Sequence, residues 1–317
     1  MSDTIDTING IIDSIERVII GKREVIRQVT LALISGGHVL IEDVPGVGKT
    51  SLVSSLAKSL DCTFRRIQFT PDILPSDVTG FSIFNRKTGD FEYREGAIMS
   101  QFVLADEINR ASPKTQSSLL EVMQERQVTV DGCTYRVPSP FMVIATQNPI
   151  DCLGTYQLPE AQLDRFFMKI SIGYPDMANE KQILQLYKTD SPLDSLTPVA
   201  SADDVLRLQR QVTEVYANDM VGEYIVQLMT QTRNHPDIEL GGSPRASMSL
   251  FRAAQASALL AGRDFVSPDD VQGVLLPVVA HRLILRRGSK MQGATAESIL
   301  QEIVRSVPVP GASRDGK

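Results

Sequence analysis

The sequence predicts an α/β core built of stacked βα units around a mostly parallel sheet, followed by a smaller helical domain. Three observations predict it. Short apolar runs alternate with helical patterns through roughly the first 175 residues, which is the pattern of a sheet with helices on its faces. A glycine-rich loop joins the first such run to a helix-like stretch. From "GYPDMANE" at 173–180 onward, helical patterns dominate.

Taken in order, five runs read as buried strands: "HVLIE" (38–42), "FRRIQF" (64–69), "FVLAD" (102–106), "FMVIAT" (141–146) and "FMKISI" (167–172). After the glycine loop, "SLVSSLAKSL" spaces Leu52, Leu56 and Leu60 four residues apart, a helix face fit to pack on the sheet. Two hairpins interrupt the units. "VTVDGCTYRV" turns at Asp131-Gly132, a strong two-residue turn signal, and "FSIFNRKTGDFEYR" turns more loosely between alternating runs. In the second half, "SADD" at 201–204 and "SPDD" at 267–270 read as helix starts capped by serine, the latter with Pro268 in the first turn. The boundaries expected are 1–180 for the α/β domain, 181–306 for the helical domain and 307–317 for a loosely held tail.

Composition limits what such a chain can be. At 317 residues and 42% hydrophobic it can bury a sizeable core, and its length exceeds that at which one core usually stops growing, so two domains are the first expectation. With 32 Lys+Arg against 38 Asp+Glu the net charge is −6, which argues against a nucleic acid partner. Cys62, Cys133 and Cys152 are too few and too scattered for a disulfide framework or a zinc cluster, which points to a reducing, cytoplasmic setting. "MSDTIDT" is acidic where a signal peptide is basic, and runs such as "VLLPVVA" are too short to span a bilayer; a soluble protein with no transmembrane segment is expected.

The loop "LIEDVPGVGKTS" nearly fits the phosphate-binding pattern G-x-x-x-x-G-K-[ST], with Asp43 where the first glycine belongs. It lies between a strand and a helix, where backbone N–H groups and the helix dipole can meet phosphates. Its partner motif is "FVLADEIN", a buried strand ending in two carboxylates: Asp106 can hold Mg²⁺ and Glu107 can polarise a hydrolytic water. A strand followed by a charged turn is common, and it is the preceding loop that raises the chemical reading above the bland one. On that reading Lys49 neutralises phosphate charge and the Thr50 hydroxyl is a second Mg²⁺ ligand. Asn148, in "ATQNP" at the end of the fourth run, is placed to orient the water, although Asn-Pro alone is more often a turn. Arg165 follows a short helix in "LPEAQLDRF" and Arg245 lies early in a helix opened by Ser243 and Pro244; alone, each arginine would pass for a surface charge.

The ordered set "EDVPGVGKT", "FTPDILPSDVTG", "LADEINRASPKTQSSLLEVMQE", "ATQNP", "GTYQLPEAQLDRF" and "GSPRA" resembles the MoxR family of AAA+ ATPases over nearly the whole chain. The resemblance implies an AAA+ P-loop core, a five-stranded sheet between helices, and an all-α lid. It implies ATP and Mg²⁺ as cofactors. Val44, Pro45, Gly46, Val47, Gly48, Lys49, Thr50 and Ser51 correspond to Walker A, Asp106 and Glu107 to Walker B, Asn148 to sensor 1, Arg245 to sensor 2 and Arg165 to the arginine finger. Val18 to Gly21, including Ile19 and Ile20, match the segment lining the adenine pocket in related ATPases, and the two hairpins match elements that this branch points toward a central pore. An arginine finger implies a ring of identical subunits, most naturally a hexamer, with ATP held between neighbours.

MoxR-like sequences commonly carry "EDVPGVGKT", so Asp43 departs from the general pattern and not from the family. Asp also enters the left-handed region more readily than most residues, and the expectation is that its carboxylate faces away from phosphates and braces the turn. Three kinds of work remain open: remodelling of partner proteins, in MoxR-like systems often ones with a von Willebrand factor A domain; a slow nucleotide-controlled scaffold or transcriptional regulator; and a DNA motor. The last finds thin support, because Arg136 is the clear basic group of one hairpin, and Arg86, Lys87 and Arg94 of the other are offset by Asp90, Glu92 and Glu95. The stripe Leu119, Leu120 and Met123 reads as core, "LILRRGSK" as a solvated helix end, and His281 as structural. Arg110 and Gln116 fit the family pattern without an evident chemical role.

Overall fold

The computed structural model describes residues 2–148, 155–188 and 191–310. Eleven strands run through them in chain order: β1 Val39–Glu42, β2 Phe64–Gln68, β3 Gly80–Asn85, β4 Asp90–Glu95, β5 Phe102–Asp106, β6 Gln127–Val130, β7 Cys133–Arg136, β8 Met142–Gln147, β9 Met168–Ile170, β10 Ile238–Leu240 and β11 Ile284–Leu285. Five of them form one sheet in the order β2-β5-β8-β1-β9, every pair parallel. These are the five runs that the hydrophobic pattern picks out. The two sequence-predicted hairpins are the antiparallel pairs β3–β4 and β6–β7.

Period-two alternation divides the sheet's side chains between two cores. Val39, Ile41, Phe102, Leu104, Met142 and Ile144 face one side, packed with Leu52, Val53 and Leu56 of the helix Lys49–Ser59 and with Ile11, Ile15, Ile26 and Leu33 of the two N-terminal helices. Leu40, Val103, Ala105, Val143 and Ala145 face the other, against Leu119, Leu120 and Met123 of the helix Pro113–Glu125. The stripe on that helix is therefore core. The first core does not stop at the sheet. It continues through Val205, Leu208, Tyr224, Leu250 and Val278 of the helical half, because the helix Arg23–Ile34 touches β9 and the helices Ala202–Glu214 and Pro244–Leu260.

The helical half begins as expected, with Ser201 and Ser267 each closing a capping box with an aspartate three residues on. Two local readings change. The lid is not all-α: β10 and β11 pair antiparallel within it. "LILRRGSK" supplies β11 and then starts the short helix Arg287–Met291, because Ile284 and Leu285 pair with Leu240 and Ile238; it is not a helix end. The tail from 311 and Cys152 lie outside the described residues, and Cys62 and Cys133 are free thiols. Among the described residues no helix is long and apolar enough to cross a membrane.

Two of the three histidines act as neutral braces. His38, just before β1, accepts from the Val143 N–H through Nδ1, so its proton sits on Nε2, which donates to the Met123 carbonyl at 2.9 Å. Burial pushes its pKa down to about 4. His281 contacts the Phe166 carbonyl through Nε2 at 3.2 Å, and burial, reinforced by Arg282, lowers its pKa to about 3. Both are depressed below the unfolded value near 6.5, so the stability they contribute is whole above that pH and is lost as pH falls through the folded values. Urea unfolding measured from about pH 7 to 5 should therefore show stability declining with a slope approaching about 1.4 kcal/mol per pH unit for each histidine. His38→Gln should flatten that slope, and an unchanged slope would show that His38 takes up its proton in the fold as it does in the unfolded chain.

Candidate active site

All five strands of the sheet run the same way, so the loops leaving β1, β5 and β8 emerge on one edge. The order β5-β8-β1 sets them side by side, and registry is close: Glu42 stands opposite Gln147 and Gln68 opposite Asp106. A cavity of about 390 Å³ opens there, lined by Gly48, Lys49 and Thr50 from the first loop and by Asp106, Glu107 and Asn148 from the other two. The residues that the sequence names as phosphate, metal and water ligands are thus brought together.

The glycine loop keeps its shape through backbone conformation. Gly46 and Gly48 have φ of 84° and 92°, left-handed values that strain side-chain-bearing residues, and neither would place a Cβ against backbone. Gly48 is also the N-cap of the helix Lys49–Ser59 and offers no side-chain acceptor, so the first-turn N–H groups and the positive end of the helix are left to the cavity. The Lys49 ammonium donates to the Asp43 carbonyl at 2.6 Å. Burial pushes its pKa down, against the pull of the Asp43, Asp106 and Glu107 carboxylates.

Asp43 resolves differently from its expected reason. Its φ is not left-handed; among the described residues, the non-glycine ones that adopt such values are Asp61, Glu107, Arg126 and Asp131. What suits aspartate here is the carboxylate, which is buried and accepts from the Ile172 N–H at 2.6 Å, the Gly173 N–H at 2.7 Å and the Ser171 hydroxyl at 3.0 Å, while its other oxygen accepts from the Val44 N–H at 3.0 Å. Burial opposes ionisation, but those hydrogen bonds outweigh it and hold the pKa below the usual carboxylate value. Asp43 therefore faces the end of β9, away from the cavity, and straps the loop to it.

The two carboxylates after β5 are held by different partners. Asp106 accepts from the Thr146 hydroxyl at 2.6 Å through one oxygen and from Arg66 at 2.5 and 3.2 Å through the other. Glu107 sits in a strained left-handed conformation, φ 57° and ψ 48°, its N–H fastened to the Thr146 hydroxyl at 2.9 Å. Its carboxylate takes Gln68 at 3.2 Å and Arg110 at 2.9 Å. Arg66, Gln68 and Thr146 were not singled out from the sequence. The alternation of "FRRIQF" puts Arg66 and Gln68 on one face of β2, but only the neighbouring register of β5 reveals that this face meets Asp106 and Glu107. Gln116 is buried and donates to the Ile108 and Tyr156 carbonyls, tying down the loop that follows.

A second cavity, of about 430 Å³, lies on the other side of the loop. Val18, Ile19 and Ile20 line it, with Gly46, Val47, Gly48 and Ser51, and the helix Met177–Leu186 faces them with Ile183 and Leu184. Pro45 lines the first cavity, and Val44 and Gly21 line neither. Gly21 instead has φ 70° and lies so close to Asn179 that a Cβ would fall 2.2 Å from its side chain. Arg165 and Arg245 are not brought to either cavity: Arg165 donates to the Leu120 carbonyl at 3.0 Å, and Arg245 lies 3.9 Å from Asp164.

The Asp43 strap generates a stability prediction. Asp43→Ala leaves the Ile172 and Gly173 N–H groups without their acceptor and should lower the unfolding free energy by about 2–4 kcal/mol, read by denaturant titration near neutral pH. A loss below about 0.5 kcal/mol would mean that the strap is dispensable.

Comparison with known proteins agrees with this fold. Residues 38–168 match the family model described as ATPase family associated with various cellular activities (AAA), and residues 230–303 match the AAA lid domain. The chain is 53% identical over 299 residues to the uncharacterized protein YeaC of Bacillus subtilis, covering 94% of this chain and 93% of that one. It is 39% identical over 315 residues to Chaperone MoxR1 of Mycobacterium tuberculosis, covering 96% and 83%. A crystal structure of a Cytophaga hutchinsonii protein superposes with a TM-score of 0.91 at 38% identity, covering 97% of this chain and 96% of the other. With the α/β core, the helical lid and a relative of this identity along nearly its whole length, the chain belongs to the MoxR family of AAA+ ATPases.

Proposed function

We propose that this chain binds ATP with Mg²⁺, hydrolyses it at the interfaces of a ring of identical subunits, and uses the cycle to remodel partner proteins. The observation that carries the reading is the convergence of Lys49, Thr50, Asp106, Glu107 and Asn148 on one cavity below the Gly46–Gly48 loop. The donors suit the cofactors. The Thr50 hydroxyl and the Asp106 carboxylate are hard oxygen ligands fit for Mg²⁺, and the loop amides with Lys49 fit a polyphosphate. Mg²⁺, when bound, supplies charge neutralisation across the β- and γ-phosphates. Val18, Ile19 and Ile20 with Ile183 and Leu184 make an apolar slot suited to a base.

Each residue then has a separable task. Lys49 exchanges the Asp43 carbonyl for phosphate oxygens, Asn148 orients a water, and Glu107 takes its proton once released from Gln68 and Arg110. With Mg²⁺ bound, Asp106 would be one of the residues holding it, and Arg66 would have to release its carboxylate. Arg165, which lines neither of the two cavities, acts on a neighbour's nucleotide, and Arg245 reports the nucleotide state from the lid. A partner of protein character is favoured by β3 and β4, where Phe81, Ile83, Phe84 and Phe91 stand exposed, Phe91 at 72%; such an aromatic surface suits apolar polypeptide better than a phosphate backbone. The relative named Chaperone MoxR1 supports the same class of work. Partners with a von Willebrand factor A domain are the first to test, by trapping the Glu107→Gln form with ATP and asking whether they are retained. A turnover that is negligible with and without them would favour a binding scaffold.

Arg165→Ala should bind ATP nearly normally and lose about 10³- to 10⁵-fold in turnover, and mixing it with Glu107→Gln should restore part of the activity. Mixed rings that form yet stay inactive would exclude a finger acting across the interface. Arg66→Ala should lower the Mg²⁺ concentration that half-saturates ATP binding by up to about fivefold, since a partly exposed ion pair competes by no more than that. Equal Mg²⁺ midpoints in titrations followed by a fluorescent ATP analogue would show that Arg66 does not compete.

A further inference from the structure

The segment between the helix Glu160–Leu163 and β9 is held by a cluster of charges of which, Arg245 apart, none of the roles above makes use. Asp164 stands at its centre. One carboxylate oxygen accepts from Arg282 Nε at 2.9 Å; the Ser243 hydroxyl lies 3.2 and 3.1 Å from the two oxygens; and Arg245 Nη1 approaches at 3.9 Å. These partners come from separate elements. Ser243 is the N-cap of the helix Pro244–Leu260 that carries Arg245, and Arg282 ends a short 3₁₀ turn of the lid.

Arg282 is the immovable member. Its side chain is 2% exposed, and beyond Asp164 its guanidinium donates to the Phe166 carbonyl at 2.7 Å, to the Ser249 hydroxyl at 3.2 Å and to the Val278 carbonyl. Burial lowers its pKa to about 10, with Asp164 pulling the other way, so it remains charged at neutral pH. A buried cation with one carboxylate partner cannot release it cheaply, since either group would be left in a medium that solvates it poorly. Arg245 is the movable member, 42% exposed and at the limit of ion-pair distance. A phosphate oxygen could draw it away, whereas nothing similar can draw Arg282. Such a withdrawal changes the charge balance at Asp164, and Asp164 is bonded directly to Arg165.

We propose that Asp164 is a positioning residue that couples Arg245 of one subunit to the orientation of the Arg165 that this subunit presents to its neighbour. The inference rests on the finger and sensor roles proposed above. The nucleotide state read at Arg245 alters the sharing of the Asp164 carboxylate between the sensor helix and the fixed Arg282. The segment 164–167, anchored at Phe166 by Arg282 and His281, then pivots at its other end. The fold thus links the lid of one subunit to the site of the next through a single carboxylate.

The test uses the full chain in the Glu107→Gln background, with ATP and Mg²⁺ as the added probe and hydrogen–deuterium exchange of the 164–167 amides as a readout independent of turnover. Nucleotide should change exchange there in the parent, and the change should vanish in Arg245→Ala, in Asp164→Asn and, more weakly, in Ser243→Ala. Ser243→Ala leaves the Arg282 pair intact and serves where Asp164→Asn does not fold. With Glu107 restored, Asp164→Asn should keep its ATP affinity and lose at least about fivefold in turnover, and combining it with Arg245→Ala should cost no more than the worse single change, the mark of two residues on one path. Additive losses, or a nucleotide response at 164–167 that survives Asp164→Asn or Ser243→Ala, would overturn the coupling while leaving the finger and sensor roles standing. Full turnover in Arg165→Ala or Arg245→Ala would refute those roles and the coupling with them.

Discussion

The site depends on one constraint: five strands that all point the same way must end on the same edge. Parallel pairing makes each return to the sheet cross over its face, so successive strands deliver their C-terminal residues to a single rim. The order β5-β8-β1 then decides who meets whom. β8 is inserted between the strand carrying the glycine loop and the strand carrying the two carboxylates, so Asn148 emerges between Lys49 and Glu107. Thr146, two residues earlier, fastens both Asp106 and the strained backbone of Glu107.

Charge at this rim is never left unpaired among the described groups. Asp43 is satisfied by the end of β9, Asp106 by Thr146 and Arg66, Glu107 by Gln68 and Arg110, and Lys49 by a carbonyl. The reason is energetic, because ionised groups near a low-dielectric core cost several kcal/mol without partners. Each of these charges is thus held by partners that the chain itself supplies. The lid follows the same rule at Asp164, with the difference that Arg282 is sealed in and Arg245 is not.

Much of this was legible beforehand. Each of the five sheet strands lies in a run that the sequence pattern picks out, although β2, at the sheet edge, exposes Arg65, Arg66 and Gln68; both hairpins carry a turn signal, and the glycine loop, the carboxylate pair and Asn148 converge on one cavity. Asp43 was expected to face away, and it does, but the reason lay elsewhere. Propensity for the left-handed region is a local property, whereas the N–H donors that the Asp43 carboxylate binds, those of Ile172 and Gly173, lie just past β9, about 130 residues later. The hairpin in the lid leaves no period-two signal, because β11 is two residues long, too short for alternation to register.

Local chemistry explains the division. The sequence by itself determined the strands, the helix caps and the residue types able to meet phosphate and metal, because these follow from hydrophobic period and from the donors a side chain carries. It could not determine that Arg66 and Gln68 stand over the carboxylates, that Asp43 binds the end of β9, or that Asp164 joins the lid to the segment of Arg165. Those contacts link residues 39 to 130 positions apart, and only strand order and register bring their polar atoms within hydrogen-bonding distance.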